Sequence, residues 1–187
     1  QPFPSPDMIT YQFRRACSAD SHPISTLVNA AYRPSNGAEG WTHESALIAG
    51  QRINPAQVVD LLQQPNSTLL LACDAQQQIH GCVHIEAHGD QAHFGLLAVM
   101  PTQQGSGLGK QLLAQAEHYA LTQLAATQLL LTVVQARQEL RAFYLRRGYR
   151  PNGETYAYPS DAGFGQPHAS ALLVEVLVKP GLAVTSA

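Results

Sequence analysis

The segment that most constrains this chain is QGSGLGK, Gln104–Lys110. An apolar, strand-like run, Phe94–Met100, leads into it through Pro101–Gln103, and an amphipathic pattern of helical period, Leu108–Leu124, follows. Three glycines in five residues exceed what the start of a helix requires. Glycine lets backbone approach a ligand and aim successive N–H groups at it, and the helix behind adds the positive end of its dipole. The unit is therefore an anion seat suited to a pyrophosphate, with a ligand-free glycine-rich turn as the plain alternative. Spacing excludes two familiar versions. A P-loop needs four residues before its Gly-Lys-Ser/Thr, whereas Gly105 and Gly109-Lys110 have three between them and Gln111 follows. A dinucleotide fingerprint begun at Gly105 would need a glycine where Lys110 stands, and would sit on the first strand of its fold.

The rest of the pattern sets the fold class. Met8–Ala16 alternates and reads as a first strand. Ile24–Tyr32 is helical, Arg33–Trp41 a turn-rich loop, and Thr42–Leu47 and Pro55–Gln63 are further helices, the first capped by Thr42. Ser67–Cys73, Ile79–His88 and Ala92–Met100 read as strands, with hairpin turns at Ala75–Gln78 and His88–Gln91. After the long helix come a buried strand, Leu129–Val134, and a short helix, Glu139–Arg147, stopped by Gly148. Two more strands, Tyr149–Tyr158 and Ala169–Lys179, flank a Gly/Pro-rich loop, Pro159–His168. The order is that of a mixed α/β (α+β) sheet, not a doubly wound one. The expected organisation is a single domain over 8–180 with flexible termini at 1–7 and 181–187, Met8 reading as the start.

Composition narrows the partners. The 187 residues suffice for one sizeable core. Charged residues make up 13%, half the usual share of about 25%, and glutamine takes over much of the polar duty. Net charge is −2 without any run of Lys or Arg, which argues against nucleic acid or an anionic membrane as partner. No apolar stretch reaches the roughly 18–20 residues of a spanning helix. Cys17, Cys73 and Cys82 are odd in number and far apart, so they read as small side chains in a reducing cytoplasm, not as disulfides or a zinc knuckle.

Gln104, Gly107 and Gly109 fill the specified places of Q/R-x-x-G-x-G/A, a pattern that resembles the acetyl-CoA motif of the GNAT N-acetyltransferases. Leu97-Ala98-Val99 followed by Met100-Pro101 resembles that family's fourth strand, and the element order is similar from Met8 to Lys179. Tyr32-Arg33, Gly40–Glu44 and Gly50-Gln51-Arg52, with Gly153-Glu154-Thr155 and Phe164–Pro167, resemble a bacterial subgroup of that family of mostly unassigned substrate. The resemblance implies a mixed, largely antiparallel sheet of about seven strands flanked by about four helices, splayed between the fourth and fifth strands. It implies acetyl-CoA as co-substrate, Leu97, Ala98 and Val99 offering backbone to the pantetheine arm, and Gln104, Gly105, Ser106, Gly107, Leu108, Gly109 and Lys110 wrapping the pyrophosphate. It implies transfer of the acetyl group to a primary amine of a small molecule or peptide by direct attack in a ternary complex, the carbonyl polarised by the Val99 N–H. A non-catalytic CoA-binding or sensor domain on the same fold is the alternative.

RQELRAFYLRRGY, Arg137–Tyr149, resembles the family's N-x-x-A-x-x-F/L-Y-x-x-x-G-F/Y segment. Tyr144 then matches the tyrosine that protonates the leaving thiolate; a phenol of pKa about 10 can protonate a thiolate of about 8.5 held beside it. Leu140 stands where Ala is usual and, with Phe143, faces the core. Arg137 stands where Asn is usual, and is expected to reach a phosphate or to be solvated. The base is less legible. The glutamate that one branch carries on the fifth strand is Thr132 here, and the one that histone-type members carry on the fourth is His93, a competent base near neutral pH. Alternation places His80, Cys82, His84, Glu86 and His88 on one strand face, but same-face neighbours lie roughly 6.5–7 Å apart, so a polar wall of the acceptor cleft is expected and no metal. Tyr32, Trp41 and Glu44 are the candidate acceptor residues, an aromatic beside a carboxylate being suited to a cationic amine. A cytoplasmic enzyme, monomeric or homodimeric, is the resulting expectation.

Overall fold

In the computed structural model, residues 9–32, 48–49, 52–158, 166–167 and 172–181 are described. The chain order is β1 (Gln12–Arg15), α1 (Ser21–Tyr32), β2 (Ile48–Ala49), α2 (Pro55–Gln63), β3 (Ser67–Cys73), β4 (Ile79–His88), β5 (Gln91–Val99), α3 (Leu108–Gln123), β6 (Gln128–Val134), α4 (Gln138–Arg146), β7 (Arg150–Ala157), β8 (Gln166–Pro167) and β9 (Leu173–Pro180). Seven strands form one sheet in the order β1-β3-β4-β5-β6-β9-β7. Every neighbouring pair is antiparallel except β5 and β6.

STLLLAC is buried almost throughout because the sheet is covered on both faces. Alternate residues of β3 go to opposite layers. Leu70 and Ala72 join Val83, Ile85, Leu112, Leu113 and Phe143 under α3 and α4. Leu69, Leu71 and Cys73 join Ile24, Leu27, Val28 and Val58 under α1 and α2. Local signals fix the helix starts. Asn54 and Gln57 exchange side-chain and backbone hydrogen bonds ahead of α2, with Pro55 in its first turn. Before α1, the Arg14 guanidinium forks onto Asp20 with two contacts of 2.9 Å, and this pairing pushes the Asp20 carboxyl down to about 2.

The expected splay is present. β5 and β6 pair only from Gln91 to Phe94 against Gln128 to Leu131. Beyond that point β5 bulges away: Cys82 faces Ala98 while His84 faces Gly95, and Leu96 adopts φ +47°. A leucine held in the left-handed region costs on the order of 1–2 kcal/mol, so surrounding packing must impose it. The bulge and the missing ladder open a gap in the middle of the sheet.

Several elements differ from expectation at their edges. β1 is shorter, α1 begins three residues earlier, and the 159–168 loop contributes β8, which pairs with β2. The expected helix Thr42–Leu47, its cap, and the terminal stretches 1–7 and 182–187 lie outside the described residues. Gly181 is tied down, its N–H donating to the Thr127 carbonyl at 2.8 Å. No described helix is long and apolar enough to cross a membrane.

Candidate active site

The glycine loop builds one wall. Gly105 and Gly107 both have φ +85°, a region that favours glycine, and a Cβ at either would meet nothing within 4 Å. The space in front of the loop is therefore open. Gly107 is the N-cap of α3 and brings no side-chain acceptor, so the first-turn N–H groups of a 16-residue helix remain for a ligand. A cavity of about 450 Å³ lies before them, lined by Val99, Gln104 and Lys110 on one side and by Phe143, Arg146 and Arg147 of α4 on the other. The Gln104 amide donates to the Val99 carbonyl at 3.2 Å, and the Ser106 hydroxyl to the Gln103 carbonyl at 2.5 Å. Leu108 and Gly109 are buried beneath. The Arg147 guanidinium stacks 3.7 Å over the Phe143 ring and donates to the Phe143 carbonyl, yet its buried Nε has no partner among the described residues. An orphaned buried donor costs on the order of 1–3 kcal/mol, which a phosphate oxygen in this cavity would offset. Loop, helix start and arginine together fit a pyrophosphate.

A second cavity, about 250 Å³, occupies the gap where β5 and β6 part. Tyr32, Arg52, Leu97, Thr132, Arg137 and Tyr144 line it, with Tyr156 and Tyr158 of the β7 arm. Tyr144 is 6% exposed. Burial pushes its phenol well above the usual range, the nearby Tyr32 adds to this and Arg137 opposes it, so the hydroxyl keeps its proton at any ordinary pH. Its ring sits edge-on to Phe143 and Tyr149, and its hydroxyl makes no hydrogen bond among the described residues. The Tyr32 hydroxyl donates to the Leu97 carbonyl at 2.8 Å. Met100 N–H donates to His80 O, and Gly81 faces Val99, so by antiparallel alternation the Val99 N–H points away from β4 into the gap.

His93 lines a third cavity, about 400 Å³, with His84, Glu86 and Glu154; it shares Phe94, Gly95, Thr132 and Tyr156 with the Tyr144 cavity. The two expected catalytic groups thus border adjoining spaces, not one. Partial burial, then the neighbouring His88, lower the His93 pKa, with Glu86 opposing. Its Nε2 lies 3.4 Å from Gln91 Oε1 and its ring is 4.8 Å from that of His88. His84 is deeper: burial pushes it down to about 4, and its Nε2 meets the Ser67 hydroxyl at 2.5 Å.

With this geometry in place, comparison with known proteins is decisive. A family model described as an acetyltransferase (GNAT) domain matches residues 41–158. The chain belongs to the GNAT acetyltransferase family. Sequence comparison with curated proteins gives no significant match. Solved structures share the fold at low identity. The ribosomal-protein-S18-alanine N-acetyltransferase from Escherichia coli superposes with TM-score 0.69 at 14% identity, covering 95% of this chain and 99% of that one. Mutant forms of the spermidine/spermine N-acetyltransferase SpeG from Vibrio cholerae give 0.63 at 17%, covering 92% and 95%. A GNAT acetyltransferase from Streptococcus pneumoniae gives 0.64 at 19%, covering 91% and 99%.

In this GNAT chain the structure sets Val99, Gln104, Gly107 and Lys110 before one cavity and Tyr32, Leu97 and Tyr144 around the other, while Ala98 points into the α1/α2 core. Trp41 and Glu44 lie outside the described residues. Arg137 departs from expectation. It is 7% exposed and stacks over the Tyr32 ring at 5.4 Å, in the Tyr144 cavity, neither solvated nor among the residues before the glycine loop. The histidine array is also broken. A bulge between Ala72 and Cys73 turns His80 aside to Asp74, at 2.7 Å, and to Tyr11, while Cys82 packs under α1 and α2. Glu86 pairs with His88 at 2.6 Å, and no group of three or more metal-binding side chains occurs among the described residues. Sequence reading passed over Arg146 and Arg147, whose signal was two basic residues at the end of a helix facing an anion loop.

Proposed function

We propose that this chain is an acetyl-CoA-dependent N-acetyltransferase acting on the amine of a small molecule or peptide within a ternary complex. One juxtaposition carries the reading: a glycine cradle faced by an orphaned Arg147 Nε, and, on the same stretch of chain through α4, Tyr144 lining the cavity in the β5–β6 gap. Acetyl-CoA supplies the activated thioester. The Gln104–Lys110 backbone, with Arg146 and Arg147, holds its pyrophosphate, and Leu97–Val99 offer backbone groups to its pantetheine arm. Val99 N–H holds the carbonyl oxygen, where a fixed donor in a dry site is most effective. Tyr144 passes its proton to the departing sulfur as the C–S bond breaks, its electron pair going to sulfur, and the C–N bond forms. Burial that raises this phenol raises a thiol beside it as well, so the transfer stays balanced. His93 takes up the proton that the amine loses, through water in the adjoining cavity; its lowered pKa leaves the imidazole neutral at pH 7, as a base must be. Tyr32, Trp41 and Glu44 belong to the acceptor side. Amine acetylation is what the Escherichia coli and Vibrio cholerae neighbours are named for, and three free thiols suit a reducing cytoplasm.

The test is amine-dependent thiol release from acetyl-CoA across a broad amine and peptide panel, with the acetylated product verified by mass spectrometry. Thiol and product in equal amounts are expected. Saturable CoA binding with no amine-dependent release would leave a CoA-binding sensor domain instead.

A further inference from the structure

Two arginines border the cavity that holds Tyr144. Arg137 reaches it from the cap of α4 and Arg52 from the segment ahead of α2. Their guanidinium carbons stand 5.4 and 5.7 Å from the centre of one ring, that of Tyr32. The pyrophosphate cradle lies on another face of the gap and has its own cations, Lys110, Arg146 and Arg147. Acetyl transfer as argued above uses neither Arg137 nor Arg52. Both guanidinium groups also interact with other groups of the chain. Each guanidinium presents five donors in a planar fork, so it can serve groups of its own chain and still grip a carboxylate in two places.

We propose that the acceptor carries a carboxylate beside its amine, as a free amino acid does, and that Arg137, with Arg52, seats that carboxylate. The inference rests on the acetyltransferase reading and names its substrate class. Size agrees with it: the cavity of about 250 Å³ has room for an amino-acid head, and the adjoining cavity of about 400 Å³ that His93 lines has room for a side chain. Geometry agrees as well: the planar guanidinium fork can hold a carboxylate in two places, a match that a polyamine does not offer.

The experiment compares matched acceptors with saturating acetyl-CoA: α-amino acids, their carboxamides and their decarboxylated amines. The acid is expected to exceed its carboxamide in kcat/KM by about tenfold or more, the scale of one charge-assisted hydrogen bond. In Arg137→Gln that ratio should fall toward one while CoA affinity, read by calorimetry, is kept. Arg52→Gln should lower the ratio in the same direction, and it stands in if Arg137→Gln does not fold. Carboxamides or plain amines turned over as well as the acids would overturn the proposal and leave acetyl transfer standing. So would an undiminished ratio in both variants, or a preference for a carboxylate on the acyl group, seen as faster thiol release from succinyl-CoA. CoA binding with no turnover of any acceptor would instead remove the acetyltransferase reading, and this inference with it.

Discussion

The two ends of the sheet gap are built on different principles. The cradle end is backbone and local. Val99 to Lys110 supply the strand edge, the loop and the helix start in one continuous stretch, and α4 adds Arg146 and Arg147. The acceptor end is side chain and distributed. Tyr32, Arg52, Leu97, Thr132, Arg137, Tyr144 and Tyr156 come from six different segments, which only the folded chain brings together. A backbone cradle recognises what every CoA thioester shares. A wall of side chains from separate elements can vary one residue at a time, so on the proposed reading the acceptor is selected there.

The largest effect that would sharpen this contrast is at the boundary between the two ends. Tyr144→Phe should keep CoA affinity and lower kcat by about 10²–10⁴-fold, the usual worth of general acid work. Turnover within about twofold of wild type would reduce Tyr144 to packing and shift the boundary. Next, Arg147→Gln should raise KM for acetyl-CoA by about tenfold and leave kcat near wild type, because it removes a uniform phosphate contact. A fall in kcat with KM unchanged would break the division of labour.

Smaller effects depend on pH. If His93 is the base it must be neutral, so kcat/KM should rise with pH and level off, the midpoint lying below the ordinary histidine value near 6.5 because burial lowers it. His93→Gln should erase that limb; a surviving limb in the variant assigns the base elsewhere. His84 gives the smallest effect, and it is on stability. Its folded value is about 4 against about 6.5 unfolded, so protons bind the unfolded chain first. The stability it contributes is complete above pH 6.5 and is lost on acidification toward 4, about 1 kcal/mol of it between pH 6.5 and 5.5. Denaturant titrations across that interval should be steeper in pH for wild type than for His84→Gln. Equal slopes would show that His84 is solvated and protonated in the fold.

What was legible in the sequence follows the same contrast. Glycine spacing, helical period and strand alternation are short-range signals, so the mixed α/β order and the glycine loop between strand and helix were legible in the residues, while the seven-stranded sheet and its splay followed from the family resemblance. His80 was not, because a bulge at Ala72/Cys73 breaks the period of two, and bulges leave no mark in residue type there. Arg137 was misplaced for a related reason. Its neighbours in sequence suggested a phosphate or solvent, but its surroundings are set by Tyr32, which is 105 positions away and is carried to it by α1 packing on the far face of the sheet. The separation of His93 from Tyr144 into adjoining cavities likewise depends on where β5 and β6 part, a property of the pair and of neither strand alone.

The central claim is that the Gln104–Lys110 loop holds the cofactor's pyrophosphate, and one calorimetric titration tests it most directly. Gly107 can accept aspartate without a clash, since nothing lies within 4 Å of its Cβ, though φ +85° adds modest strain. The new carboxylate would stand in the N–H nest where the pyrophosphate belongs. Wild type should bind CoA with one-to-one stoichiometry, and Gly107→Asp, with its fold verified by circular dichroism, should show no measurable heat of binding. A folded Gly107→Asp protein that binds CoA as tightly as wild type would contradict the account.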